Sequence, residues 1–186
     1  MPAISSQYIF DLTISIPDLN KVIEHRIRTS HTTSEPLERT YARMLAYCHS
    51  YDPDLAISTD SSDRLEPMLS CRDLTGDIKT WIDIGCPSSK KFTKPIRSHK
   101  TPLVKLYFYR ENHRDSFKRE FHGFSKELFK NVLCYQFDPN FLTALTQVDK
   151  KTNVWNVTFL EDTTYIDANG VSFESTIEQV DLGAVI

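Results

Sequence analysis

The spacing of apolar residues changes twice within the first fifty positions, and that change limits what the chain can become. YIFDLTISI, Tyr8 to Ile16, is rich in β-branched and aromatic residues. After the turn signal Pro17-Asp18 a second such run, VIEHRIRTS, predicts its hairpin partner. In TSEPLERTYARMLAYCHSY the apolar residues Leu37, Tyr41, Met44, Leu45 and Cys48 then recur at helical spacing. With Ser34 as N-cap, Pro36 in the first turn and Glu35 facing the positive helix end, the spacing predicts a helix from about Ser34 to about Ser50.

The pattern keeps alternating downstream. RLEPMLSC, the turn-like RDLTG and the strand in DIKTWIDI come next, and then a short helix in SSKKFTKPI. PLVKLYFYR reads as a buried strand, DSFKREFHGF as a helix, FKNVLCYQF as a strand and PNFLTALTQV as a short helix. The turn at Asn169-Gly170 predicts a terminal hairpin. Interleaved strands and helices with no linker or repeat predict an α/β (α+β) class, a mixed β-sheet flanked by helices, in one compact domain over 1–186.

At 186 residues, 40% hydrophobic and 25% charged, the composition is that of a soluble globular protein rather than a disordered or fibrous one. Cys48, Cys71, Cys86 and Cys134 show neither a C-x-x-C pair nor zinc-like spacing, which predicts reduced, buried thiols. No apolar run approaches the ~20 residues of a membrane span and no leader pattern opens the chain, so no membrane partner and a cytoplasmic location are expected. Phosphate-loop, dinucleotide-glycine and G-x-S-x-G motifs are missing.

Charge is unevenly spread. From Lys90 to Lys130 there are 12 Lys/Arg against 4 Asp/Glu, a local +8 in a chain whose net charge is −3. Two readings stay open for this segment: solvated helix faces, or a cationic surface for nucleic acid.

In GDIKTWIDIGCPSSKK, strand alternation puts Ile78, Thr80, Ile82 and Ile84 on one face and Asp77, Lys79, Trp81, Asp83 and Gly85 on the other. Asp77 and Asp83 stand roughly 20 Å apart along the strand and cannot share an ion. With a turn centred between Leu74 and Thr75, residues whose numbers sum to 149 face each other, which sets Glu66 opposite Asp83. Two carboxylates so placed repel unless a proton or cation lies between them, and an incomplete oxygen site suits Mg²⁺ or Mn²⁺. Trp81 reads as a packing anchor or a base-stacking platform, and His31 as a loop residue or a general base. Glu35, Arg39 and Arg43, at i,i+4 spacing, read as a salt-bridged helix face. Alternatively Glu38 serves as a ligand, with Arg39 holding a carboxylate or phosphate.

SEPLERTYARMLAY, then EP, then TGDIKTWIDIGCPSSKKFTK closely resembles the YaeQ family of small bacterial proteins, which carry S-E-x-x-E-R-x-x-x-R-x-L-A and W-I-[DE]-[LIV]-G-x-P stretches. The resemblance implies a core related to the restriction-endonuclease-like, PD-(D/E)XK nuclease superfamily. There a β-hairpin presents an Asp and a D/E-x-K, two acids bind Mg²⁺, and the lysine orients water. Carried over, Asp83 stands for the D/E, Glu66 for the hairpin Asp, and Glu35 or Glu38 for the helical acid. Gly85 occupies the lysine position, so an amine would have to come from Lys90, Lys91, Lys94 or Lys79. Two functions follow as expectations. One is a non-catalytic protein that binds nucleic acid or a protein partner. The other is a Mg²⁺-dependent phosphodiesterase or nuclease with Glu66 and Asp83 on the metal and Glu38, Lys90 and Lys91 among its catalytic groups.

Overall fold

A computed structural model describes residues 5–58, 65–97 and 102–182. The chain divides into two compact units, one comprising residues 1–49 and 137–178, the other 50–136 and 179–186.

In the first unit β1 (Ser5–Ile16) and β2 (Lys21–Thr32) form the expected hairpin, antiparallel from Ser5 opposite Thr32 to Ile16 opposite Lys21. Pro17 fixes the bend, and Asn20, at φ 46°, closes it by donating its N–H to the Pro17 carbonyl at 2.8 Å. β1 then pairs in parallel with β8 (Thr152–Leu160), Ile9 opposite Thr152. β8, β9 (Thr163–Ala168) and β10 (Val171–Val180) follow as an antiparallel meander, so the order is β2-β1-β8-β9-β10. The inward residues of β1 are Tyr8, Phe10, Leu12 and Ile14, all buried.

Helix α1 (Leu37–His49) packs on this sheet beside α4 (Pro139–Thr146). Tyr41 of α1 stacks on Trp155 at 5.1 Å and meets the edge of Phe10 at 5.9 Å. The helix starts at Leu37 rather than near Ser34 because Pro36 disfavours helical dihedrals at Glu35. Its opening bond runs from the Arg39 N–H to the Pro36 carbonyl, 3.0 Å. His31 lies at the end of β2, not in a loop, with its Nδ1 3.0 Å from the Thr40 hydroxyl.

The second unit orders its strands β7 (Val132–Phe137), β6 (Leu103–Phe108), β5 (Ile78–Ile84), β4 (Leu69–Arg72) and β3 (Ala56–Ile57). β5, β6 and β7 run parallel, while β4 and β3 are antiparallel additions. Helices α2 (Ser89–Ile96) and α3 (Asn112–Glu120) cover one face. There Phe92, Phe117, Phe121 and Phe129 pack with Trp81, Val104, Leu106, Phe108, Val132 and Cys134. Alternation sends Lys105, Tyr107 and Tyr135 to the opposite face.

The α/β content holds, but the restriction-endonuclease-like core is corrected. Among the described residues ten strands run in the sheet order, where a mixed sheet flanked by helices around a restriction-endonuclease-like core was expected. The C-terminal alternation is part of the reason: it builds the three strands β8, β9 and β10 instead of one terminal hairpin, with Glu161 at φ 51° turning the first pair. All four cysteines are free thiols; Cys86 is half-buried and the other three are buried. No helix among the described residues is long and apolar enough to cross a membrane.

Candidate functional site

The hairpin that carries Asp83 is set by its loop. Asp73 accepts hydrogen bonds at one carboxylate oxygen from the Thr75 N–H, the Thr75 hydroxyl and the Asp77 N–H, at 2.9, 2.6 and 3.0 Å. Gly76, at φ +87°, makes the left-handed step, so the loop holds three residues centred on Thr75. A bulge between Cys71 and Arg72 shifts the register once more. Ser70 therefore faces Trp81 and Leu69 faces Ile82. Extending that register sets Met68, not Glu66, against Asp83. Asp77 closes the loop, its carbonyl accepting the Asp73 N–H at 2.8 Å, and Lys79 is exposed beyond it.

Asp83 is 3% exposed, and each of its oxygens has a donor. Oδ1 takes the Lys91 ammonium at 2.6 Å and the Met68 N–H at 3.3 Å; Oδ2 takes the Trp81 indole N–H at 2.9 Å. Burial pushes its carboxyl above the ordinary range, while Lys91, Trp81 and Met68 pull it back. Lys91 arrives because Gly85, at φ +89°, turns the chain after β5 and donates its N–H to the Tyr107 carbonyl at 2.8 Å. Ser88 then caps α2 by accepting from the Lys91 N–H at 3.4 Å. The absent lysine at position 85 thus has a backbone reason, since that position needs a left-handed residue.

Glu66 is engaged elsewhere, with Lys94 at 2.8 Å and Arg72 at 3.5 Å. Glu35 pairs with Arg39 at 3.6 Å and Arg43 at 3.9 Å, and Arg43 also donates to the Ser30 carbonyl at 2.9 Å. Burial lowers the pKa of Arg43, and Glu35 opposes that shift. Glu35, Glu38 and Arg39 all belong to the first unit, whereas Glu66, Asp83, Lys90, Lys91 and Lys94 belong to the second. Lys90 is exposed on α2.

The expected Mg²⁺ or Mn²⁺ centre is therefore corrected. Glu66 and Asp83 do not share a register position, and their oxygens are taken by ammonium, guanidinium, indole and amide donors. Among the described residues no group of three or more His, Cys, Asp or Glu could hold a metal ion. Trp81–Asp83–Lys91 acts as a clamp that ties β5 to α2, and the nuclease reading built on it falls.

Sequence reasoning missed a polar network in the first unit. Tyr8 and Tyr41 donate to the two oxygens of Asp149 at 3.0 and 2.6 Å, and Asn169 joins buried Asn153 at 2.9 Å. Burial and then Asp149 raise the pKa of both phenols. These groups are scattered along the sequence, and no local spacing announces them. Lys105 is the cation within the stretch LVKLYFY of the predicted buried strand.

Two solved structures share the fold. The YaeQ protein from Xanthomonas axonopodis pv. citri aligns with TM-score 0.83 and 22% identity over 95% of this chain and 98% of that one. The YaeQ protein from Pseudomonas syringae aligns with TM-score 0.81 and 23% identity over 95% and 96%. No curated protein matches the chain. The family model described as "YaeQ protein" matches residues 1–177. The likeness is one of family and brings no nuclease with it: the chain belongs to the YaeQ family.

Proposed function

We propose that the second unit is a sequence-tolerant nucleic-acid-binding surface, formed by the outer faces of α2 and α3. The observation that supports this reading is how the two helices meet. Phe92 of α2 lies 5.7 Å from Phe117 and 4.7 Å from Phe121, and the Ser89 N–H donates to Glu120 Oε1 at 2.7 Å. Their buried sides being locked together, their outer sides lie next to each other. Those sides carry exposed Lys90, Lys94 and Arg97 beside Lys118 and Arg119.

Among the described residues, Lys90, Arg97 and Lys118 have no carboxylate partner. Phosphates in a row suit such a surface, because each neutralised phosphate releases a condensed counterion. No base-reading motif accompanies the charge, so affinity should depend on salt rather than sequence.

The test is fluorescence anisotropy with labelled duplexes of unrelated sequence. Four phosphate contacts would weaken binding about a hundredfold between roughly 50 and 200 mM salt. Lys90→Glu with Lys118→Glu should remove most binding while the melting temperature holds. No binding at low salt, or binding indifferent to the double substitution, would refute the reading.

A further inference from the structure

The face of the second unit's sheet opposite α2 and α3 carries a lysine that the clamp and the cationic helices leave unused. Lys105 projects from the central strand β6, beside Ile82 of β5 and Leu133 of β7. Among the described residues its one hydrogen bond is to the Ser50 hydroxyl, at 3.1 Å, and no carboxylate pairs with it. Ser50 in turn lies 2.6 Å from the Tyr107 hydroxyl, two residues along β6 on the same face. Tyr107 is fully buried and stacks on Tyr135 at 4.9 Å. Amine, serine hydroxyl and phenol are thus linked in a row, and both Lys105 and Ser50 are only half-buried.

We propose that Lys105 is a carbonyl-condensing amine, forming a Schiff base with a small uncharged aldehyde or ketone while Ser50, held by Tyr107, relays the protons. Burial lowers the pKa of Lys105, opposed by the nearby Cys71, whose own thiol burial holds protonated. The amine is thereby moved toward its neutral, nucleophilic form. Burial also raises the pKa of Tyr107, so the phenol stays protonated and holds the Ser50 hydroxyl in place by their 2.6 Å hydrogen bond. An acyl-transfer role for Ser50 would need donors converging on a tetrahedral oxyanion. Condensation needs an amine and a proton-carrying hydroxyl, and both are in place.

In the first step the Nζ lone pair attacks the carbonyl carbon and the C=O π pair moves to oxygen. One proton passes from Nζ to that oxygen through the Ser50 hydroxyl, giving a neutral carbinolamine. The C–O bond then breaks as the nitrogen lone pair forms C=N. The departing hydroxide takes a proton from solvent through Ser50 and leaves as water, so the product is a protonated imine.

The full chain, treated at neutral pH with limiting butanal and cyanoborohydride, tests this. Cyanoborohydride delivers hydride to the imine carbon and fixes it as a secondary amine, which peptide mass spectrometry locates. Butanal is uncharged and so is not drawn to the cationic helices. Label on Lys105 should exceed that on exposed Lys118 and Lys126, and Ser50→Ala should lower it several-fold. Label on Lys105 no greater than on those two, or unchanged by Ser50→Ala, overturns the assignment.

Discussion

The Nζ of Lys91 lies 2.6 Å from Oδ1 of Asp83, and with side chains only 15% and 4% exposed the pair closes the turn between β5 and α2. Removing one partner strands the other. Lys91→Met leaves a buried carboxylate without its counter-charge and should cost about 3–5 kcal/mol, read by urea denaturation. Adding Asp83→Leu to that variant should recover much of the loss. A single-variant cost under about 1 kcal/mol would show that the clamp does not hold the turn.

Titration of Asp83 has a definite sign. Burial raises its folded pKa, so folding favours the protonated form. The contribution is fully present below the unfolded value of about 4 and is lost as pH rises through the folded value. Asp83→Asn abolishes that titration. Melting temperatures of the two proteins, followed upward from pH 4, should therefore shift in the variant's favour. A difference that stays flat with pH contradicts the raised carboxyl.

Glu66 and Asp83, which the sequence pairs on one metal, should behave unequally. Glu66 is 34% exposed in its contacts with Lys94 and Arg72, and Glu66→Gln should change stability by less than about 1 kcal/mol. Neither carboxylate is available to an ion, so Mn²⁺ should leave the melting temperature where it is. A bound ion at a hundred times its dissociation constant would add about 2.7 kcal/mol, a shift no melt would miss.

Gly85→Ala tests the turn directly. A Cβ there would sit 3.3 Å from Tyr109 Cε1 and 3.4 Å from His113 Cε1, on backbone at φ +89°. Left-handed strain plus crowding should cost about 1–3 kcal/mol in thermal or urea unfolding. Gly76→Ala shares the positive φ but has open space around it, so it should cost less.

Local patterns were legible in the sequence and long-range pairing was not. Period-two alternation and Pro17 were enough to find the β1–β2 hairpin, and the Leu37–Tyr41–Cys48 spacing found α1. The Glu66–Asp83 register failed by two residues. Turn chemistry marked Asp73 to Gly76 as a turn, but not that it holds three residues, nor that a bulge sits at Cys71. Such details come from hydrogen bonds to the Asp73 carboxylate rather than from periodicity. The parallel pairing of Ile9 with Thr152 leaves no trace in any window. Lys91's hold on Asp83 is an intermediate case: the candidate lysines were visible, but the helix phase that selects one of them depends on Gly85 and Ser88.

The division of the first unit into an N-terminal and a C-terminal piece also sets an order of events at the ribosome. β1, β2 and α1 are made first, yet β1 must wait for β8, more than a hundred residues later, before its second edge is paired. The second unit emerges in between but takes Val180 into its own core. Neither unit is complete until the last strand is released. Such a chain carries a high contact order and a long exposed interval for the apolar face of its first hairpin, so refolding should be slow and sensitive to protein concentration.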